Sequence, residues 1–377
     1  MPFRPSHRRP PCSRISRRIF LEAAGLAAGG AVLGGCRAAA DAPTATPSAE
    51  PTAAPRPAVA IARAATYDSE LVHGQVEKLF DSLGGIADLV GAGDKVVVKV
   101  NLVGGSIGTL PPAGTTAPES YVTHPAVAGA MCRLLRDAGA GEIYVADAVW
   151  ADADFAAWGY TEMADSLGVR LINLNKTDPY DDYAEVPVGA GSFIYKSFRL
   201  NRLLSEADAL ISVTKMKCHY LLGITQSMKN LIGLAPFQFY ERKPGDGYRT
   251  GFHGADSEIR HRLPRVVLDL NRARPVHLSL IDGIMTVDGS EGPWNGDLNP
   301  RRPGILIGGK NPVAADAVAV AAMGFDPTAD FPNKPFLRAD NHLNLARELG
   351  LGTNRLEDID VLGEKLEDVT QKFQPAW

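Results

Sequence analysis

Three lysines, a cysteine–histidine pair and an asparagine crowd into residues 213–233, V-T-K-M-K-C-H-Y-L-L-G-I-T-Q-S-M-K-N-L-I-G. The apolar run at 209–213 leads straight into them. Cations beside a buried strand are costly to desolvate unless they meet an anion or one another, so this stretch is expected to floor a site. Lys215, Lys217 and Lys229 would form a cationic pocket with Lys99, which closes a second apolar run, and Asn101, His219 and Asn230 would add hydrogen bonds. A carboxylate or phosphate would satisfy such a pocket. A desolvated lysine among cations also has a pKa low enough to act as base or nucleophile, which makes Lys217 and Lys229 candidate catalytic groups. Any one of these lysines read alone is a solvated or paired side chain; the group carries the expectation.

His124 precedes Pro125, and proline suits the first helical position, which puts His124 at an N-cap. Helix N-termini favour anions and disfavour an imidazolium, so a neutral His124 is a candidate general acid or base. Asp147, Asp282 and Asp316 are the acids to weigh against the lysines, with Asp288 beside them. Asp316 lies within an Ala/Val-rich segment, and a buried carboxylate needs a partner, a metal or a raised pKa. Asp147, Asp282 and Asp316 could hold a divalent metal, although their spacing matches no recognised ligand pattern. Glycines 104, 105 and 108 lack the spacing of a dinucleotide or phosphate loop, Gly308-Gly309-Lys310 lacks a full one, and no G-x-S-x-G elbow supports a serine hydrolase.

The elements that must position these groups alternate. Apolar runs at 59–62, 94–101, 142–147, 169–174, 209–213, 276–282 and 304–307 read as strands, and 75–83, 125–138, 161–167, 257–272 and 310–323 as helices. This spacing predicts an α/β fold, a doubly wound, mostly parallel or mixed sheet with helices on both faces, plus insertions. Ligands in such sheets sit off the carboxyl ends of the strands, where Asn101, Asp147 and Lys215 all fall. Residues 102–121 form a long loop, 183–200 a hairpin, and 236–254 a lid or insertion rich in charge and aromatics; the tail after Phe325 reads as surface helix and loop.

Five phrases in order carry a resemblance: K-V-N with the loop to T-H-P, the strand ending at Asp147, A-D-A-L-I-S-V-T-K-M-K-C-H with S-M-K-N-L-I-G, I-D-G-I near 282, and G-G-K-N-P-V-A-A-D-A-V-A near 316. Across residues 59–363 the chain resembles the domain-of-unknown-function 362 family. The resemblance implies an α/β fold and a biochemistry largely unsettled. Many members carry a ferredoxin-like cluster module; this chain has no C-x-x-C, so an iron–sulfur cluster is not expected.

The first 58 residues stand apart. A basic lead, Ser16-Arg17-Arg18-Ile19-Phe20-Leu21, a short Ala/Gly/Leu run and Leu33-Gly34-Gly35-Cys36 read as a twin-arginine export signal ending in a lipobox, with Cys36 the acylated residue. Residues 37–58, rich in Ala, Pro and Thr, read as an extended tether, and 59–377 as one α/β domain. The expected partners are therefore the twin-arginine export machinery, a membrane reached through lipid, and a small anionic ligand, and the expected place is the outer surface of a membrane. Without the six bases and one acid of residues 1–35, 33 bases face 42 acids, a formal charge of −9; an acidic domain is a poor nucleic-acid binder. Cys132 and Cys218 are expected as separate buried thiols. The function these features suggest is an isomerase-, racemase- or redox-type enzyme acting on a small anionic metabolite or cofactor. The alternatives are a non-catalytic solute-binding lipoprotein and a cofactor assembly factor.

Overall fold

The computed structural model describes residues 55–296 and 298–376; the export signal, Cys36 and most of the tether lie outside them. Near-continuous β-branched runs build one sheet of eight strands: β1 (Ala58–Arg63), β2 (Lys95–Lys99), β3 (Glu142–Asp147), β4 (Arg170–Asn173), β5 (Ala209–Lys215), β6 (Leu278–Gly283), β7 (Ile305–Gly309) and β8 (Asp360–Gly363). Their order is β8-β1-β7-β6-β5-β2-β3-β4. Seven strands run one way and β7 runs against them. The sheet is thus the mixed, doubly wound α/β arrangement that the alternation predicts.

Alternate residues of each strand serve opposite faces. Val96, Val98, Ile211, Val213, Leu278 and Leu280 pack with α1 (Ser69–Ser82) and α2 (Pro125–Asp137). Their neighbours Val97, Tyr144, Ala146 and Leu210 pack with α3 (Ile259–Ala273), and Ile281, Ile305 and Ile307 with α4 (Pro312–Ala322). Pro264 lies inside α3 at its second turn, so the Arg260 carbonyl has no donor from within the helix and accepts instead from Asp340 N at 3.1 Å. Residues 183–201 form the expected hairpin, Tyr183–Pro187 against Ser197–Asn201. Cys132 and Cys218 are buried, unpaired thiols. Burial pushes Cys132 up to about 12 and Cys218 higher still.

The tail departs from expectation. Its segment Asp360–Gly363 is edge strand β8, and Phe336, Ala339, His342 and Leu343 are buried against the α3 face. Its apolar residues are interspersed with charged and polar ones, which is why the segment reads as surface. Among the described residues, no helix is long and apolar enough to cross a membrane.

Candidate functional site

The carboxyl ends of β2, β3, β5 and β6 deliver Lys99, Asp147, Lys215 and Asp282 as expected, but onto the two faces of the sheet. On the α1/α2 side, Lys215 and Asp282 occupy opposed positions on adjacent strands and both side chains are fully buried. The Lys215 Nζ lies 2.7 Å from Asp282 Oδ2 and also donates to Pro118 O (2.7 Å), Tyr67 Oη (2.9 Å) and Met285 O (3.0 Å). Asp282 Oδ1 accepts from the Tyr67 hydroxyl at 2.9 Å, and Oδ2 from the His124 backbone N–H at 3.1 Å. Every charge here has a partner.

His124 caps α2, as the sequence predicts. Its Nδ1 accepts from Ala126 N at 3.1 Å, which assigns the ring proton to Nε2, and Tyr67 stacks on the imidazole at 3.7 Å and 5°. Burial, then the nearby Lys215, lowers its pKa to about 4, so the ring is neutral at pH 7.

Lys99, on the other face, is equally satisfied. Its Nζ meets Asp147 Oδ1 at 2.8 Å, Asn230 Oδ1 at 3.1 Å and Val100 O at 2.5 Å. Asp147 also accepts from Leu102 N (2.6 Å) and Ala148 N (2.8 Å). Gly233 closes over this pair: a Cβ there would lie 2.4 Å from both Lys99 Nζ and Asp147 Oδ1, so the position admits no side chain. Asn230 holds Lys99 O (3.1 Å) and Ser212 Oγ (3.0 Å).

A different environment begins at the hairpin Lys217–His219 and Gly223–Thr225. The Lys217 amine donates to two carbonyls, Tyr121 O (2.6 Å) and Glu291 O (2.8 Å), and among the described residues has no carboxylate within ion-pair distance. Burial and then Lys229 push its pKa well down. The amine of Lys229, a partly buried residue, makes no hydrogen bond or ion pair with any described residue. Its pKa falls to about 8, through burial first, then against the pull of Glu291 under the push of Lys99 and Arg249. Arg249 donates Nε to Ala235 O at 2.5 Å, while its buried Nη2 has no partner.

Three imidazoles face the same amine. His219 accepts at Nδ1 from Leu221 N (3.1 Å) and Leu222 N (3.2 Å), leaving Nε2 as its donor. Both ring nitrogens of His342 are buried without a partner. Burial, then Lys229, lowers His342 to about 3 and His253 to about 4; His219 falls well below its ordinary value for the same reasons. Glu291 is the neighbouring carboxylate, buried and held by Tyr220 N (2.7 Å) and Asn295 Nδ2 (2.6 Å). Trp294 stands above it at the rim, its ring in the cradle left by Gly104 and Gly292 and edge-on to Tyr121 at 5.8 Å. A Cβ at Gly104, whose φ is +86°, would lie 2.2 Å from that ring.

The structure therefore brings Lys217, His219 and Lys229 together and puts Lys99 and Asn230 immediately beneath them. His124 is not with them: the charges that act on it are Lys215, Asp282 and Glu119. Asn101 is buried at the end of β2, its side-chain Oδ1 unpartnered. Asp147, Asp282 and Asp316 do not converge on a metal position, which corrects that expectation. Asp147 and Asp282 each hold a lysine. Asp316 accepts from Ser227 N (2.7 Å) and Met228 N (2.9 Å), capping the turn Ser227–Asn230, and burial raises its pKa to about 8. Among the described residues, the group spaced to share an ion is His73, Glu77 and Asp137, on α1 and α2.

Sequence reading missed Tyr67, Arg249, His253, Glu291 and His342. Arg249 and His253 belong to the charged, aromatic segment marked as a lid or insertion, and Glu291 to the Gly/Asp-rich loop after β6. His342 gave no signal, because its segment reads as surface.

These features define an α/β protein with a basic, histidine-rich cluster at the carboxyl edge of a doubly wound sheet. The chain belongs to the family described as domain of unknown function (DUF362), which matches residues 96–321. It is 25% identical over 318 residues to a thylakoid-associated protein of Synechocystis sp., covering 83% of this chain and 88% of that one. Two solved structures align with part of the chain. A Thermotoga maritima protein aligns with TM-score 0.37 and 16% identity over 70% of this chain and 61% of its own. The lactate racemase apoprotein of Thermoanaerobacterium thermosaccharolyticum aligns with TM-score 0.38 and 12% identity over 70% and 57%. The aligned part is thus less than two thirds of either solved chain.

Proposed function

We propose that this protein binds a small organic anion between Lys217, Lys229 and Arg249 and acts on it by moving a proton. One observation carries the reading: the Lys229 amine, enclosed by two other basic side chains, has no acceptor among the described residues. A bound carboxylate would supply that acceptor and reach the unpartnered Nη2 of Arg249. Lys229, with a pKa near working pH, suits general acid–base chemistry, and neutral His219, His253 and His342 would hydrogen-bond the ligand without adding charge. This chemistry serves isomerisation, racemisation or redox at a carbon beside a carboxylate. We assign the proton transfer to Lys229 rather than His124, which lies on the α1/α2 side.

The test is ligand-dependent melting with lactate, pyruvate, citrate and inorganic phosphate. At a hundred times Kd, an anion should stabilise the wild type by about 2.7 kcal/mol. Lys229→Met should lose that shift and His124→Ala should keep it. Equal responses from all three proteins would refute the assignment. A non-catalytic carrier or an assembly factor would show the same shift without turnover, so following the C–H exchange of each stabilising organic anion with the protein in D2O separates the enzyme from both.

Residues 1–36 support a further part of the proposal, that the protein is exported by the twin-arginine route and acylated at Cys36. Cys36→Ala should remove both the acyl mass and membrane fractionation; an unchanged fraction would exclude lipidation as the anchor.

A further inference from the structure

We propose that Lys229 forms an imine with a 2-oxo carboxylate, a small anion carrying a ketone or aldehyde next to its carboxylate. The inference rests on the anion-binding reading and adds a substrate class and a covalent step. Its basis is the contrast among four lysines. Lys99 and Lys215 each hold a carboxylate and further acceptors, and Lys217 gives two N–H groups to carbonyls. The Lys229 amine has no such engagement among the described residues, and the residue is only partly buried. Its backbone is nevertheless fixed. Asp316 holds the start of its turn and Asn230, the next residue, is anchored to Lys99 O and Ser212 Oγ.

The surroundings fit both ends of such a substrate. Arg249, with one buried nitrogen unpartnered, is the donor for the carboxylate. His342, with both ring nitrogens buried and unpartnered, and His219, with Nε2 free, are the neutral groups that can donate to the carbonyl oxygen and relay protons.

The step balances without an added oxidant or reductant. The Lys229 nitrogen lone pair attacks the carbonyl carbon, the C=O π pair moves to oxygen, and a proton passes from nitrogen to that oxygen to give the carbinolamine. A second proton, the one lost from the lysine ammonium and relayed by an imidazole, lets the hydroxyl leave as water and yields the protonated imine. Starting from the ammonium, the sum is ammonium plus carbonyl giving iminium plus water. Where the substrate has a C–H bond beside the carbonyl carbon, a neutral imidazole takes that proton as its electron pair moves toward the iminium to form the enamine, returns a proton to the same carbon, and water then hydrolyses the iminium to the carbonyl and the lysine ammonium. A lysine lowered to about 8 is about one-tenth neutral at pH 7, enough to supply the attacking form.

The experiment incubates the folded full-length protein with glyoxylate, pyruvate or 2-oxoglutarate, adds borohydride, and reads intact mass and the modified peptide. Melting shifts are recorded with the same acids. The wild type should carry one reduced adduct on the peptide containing Lys229. Lys229→Arg, which keeps the cation, should fold by circular dichroism and show about tenfold less adduct. Adduct on other lysines at equal yield in both proteins overturns the proposal. Melting shifts without any adduct overturn the imine and leave anion binding standing. Neither shift nor adduct with any of the three acids overturns both.

Discussion

Lys215 and Lys229 lie close together in the sequence and have opposite circumstances. Lys215 is fully buried against Asp282, with Tyr67, Pro118 and Met285 taking its remaining capacity. Lys229 sits among Lys217, Arg249 and three neutral histidines, and its amine has no partner within hydrogen-bonding distance among the described residues. The first arrangement is what a fold requires of a buried charge, because each ion is compensated and each polar atom bonded. The second is left incomplete, and an anion would complete it. A buried lysine therefore marks a site only when its partners are missing; lysine content alone does not locate one.

The comparison is broken most forcefully at the satisfied end. Asp282→Ala would leave the Lys215 ammonium buried without its counter-charge and remove acceptors from Tyr67 and His124 N. It should cost about 3–5 kcal/mol, read by urea denaturation. Replacing Lys215 by Met as well should recover much of that loss, since the isolated charge goes with it. A cost under about 1 kcal/mol for Asp282→Ala would mean that water reaches the pair.

Acid pH should act through the histidines. In the unfolded chain they bind protons below the ordinary value of 6.5, whereas the folded rings of His342, His253 and His124 wait until about 3, 4 and 4. The unfolded state thus binds more protons between these limits, and stability falls as pH drops from 6.5 toward 4. His342→Asn should relieve roughly 2 kcal/mol of that loss at pH 5. An acid limb that does not change in this variant would show that His342 is protonated and paired in the fold. The Lys229 effect runs in the other window. Its folded pKa of about 8 lies below the ordinary 10.5, so the free protein gains stability as pH rises from 8 to 10.5. Anion-induced stabilisation should fade over the same range.

Much of the sheet was legible, because β-branched runs such as 96–100 and 209–213 have the length and continuity of doubly covered strands. The N-cap role of His124 was legible too, from one proline. The reversed direction of β7 was not, since a run of apolar residues has no polarity. The cluster was half legible. Lys217, His219 and Lys229 share one stretch of chain, but Arg249 and Glu291 reach them from separate loops and His342 from the start of the helix His342–Glu348. Nor could spacing reveal that Asp147, Asp282 and Asp316 would each be engaged separately. Carboxylates at strand ends look alike whether they hold a lysine, a backbone turn or a metal.

The most direct measurement is the stability of Lys229→Met beside Asp282→Ala, in the free protein at pH 7. Removing an uncompensated charge should leave Lys229→Met at or slightly above the wild type, by up to about 1 kcal/mol, while Asp282→Ala falls far below it. If Lys229→Met is destabilised as severely as Asp282→Ala, Lys229 already has its counter-charge within the fold, and the claim that its site awaits an anion is wrong.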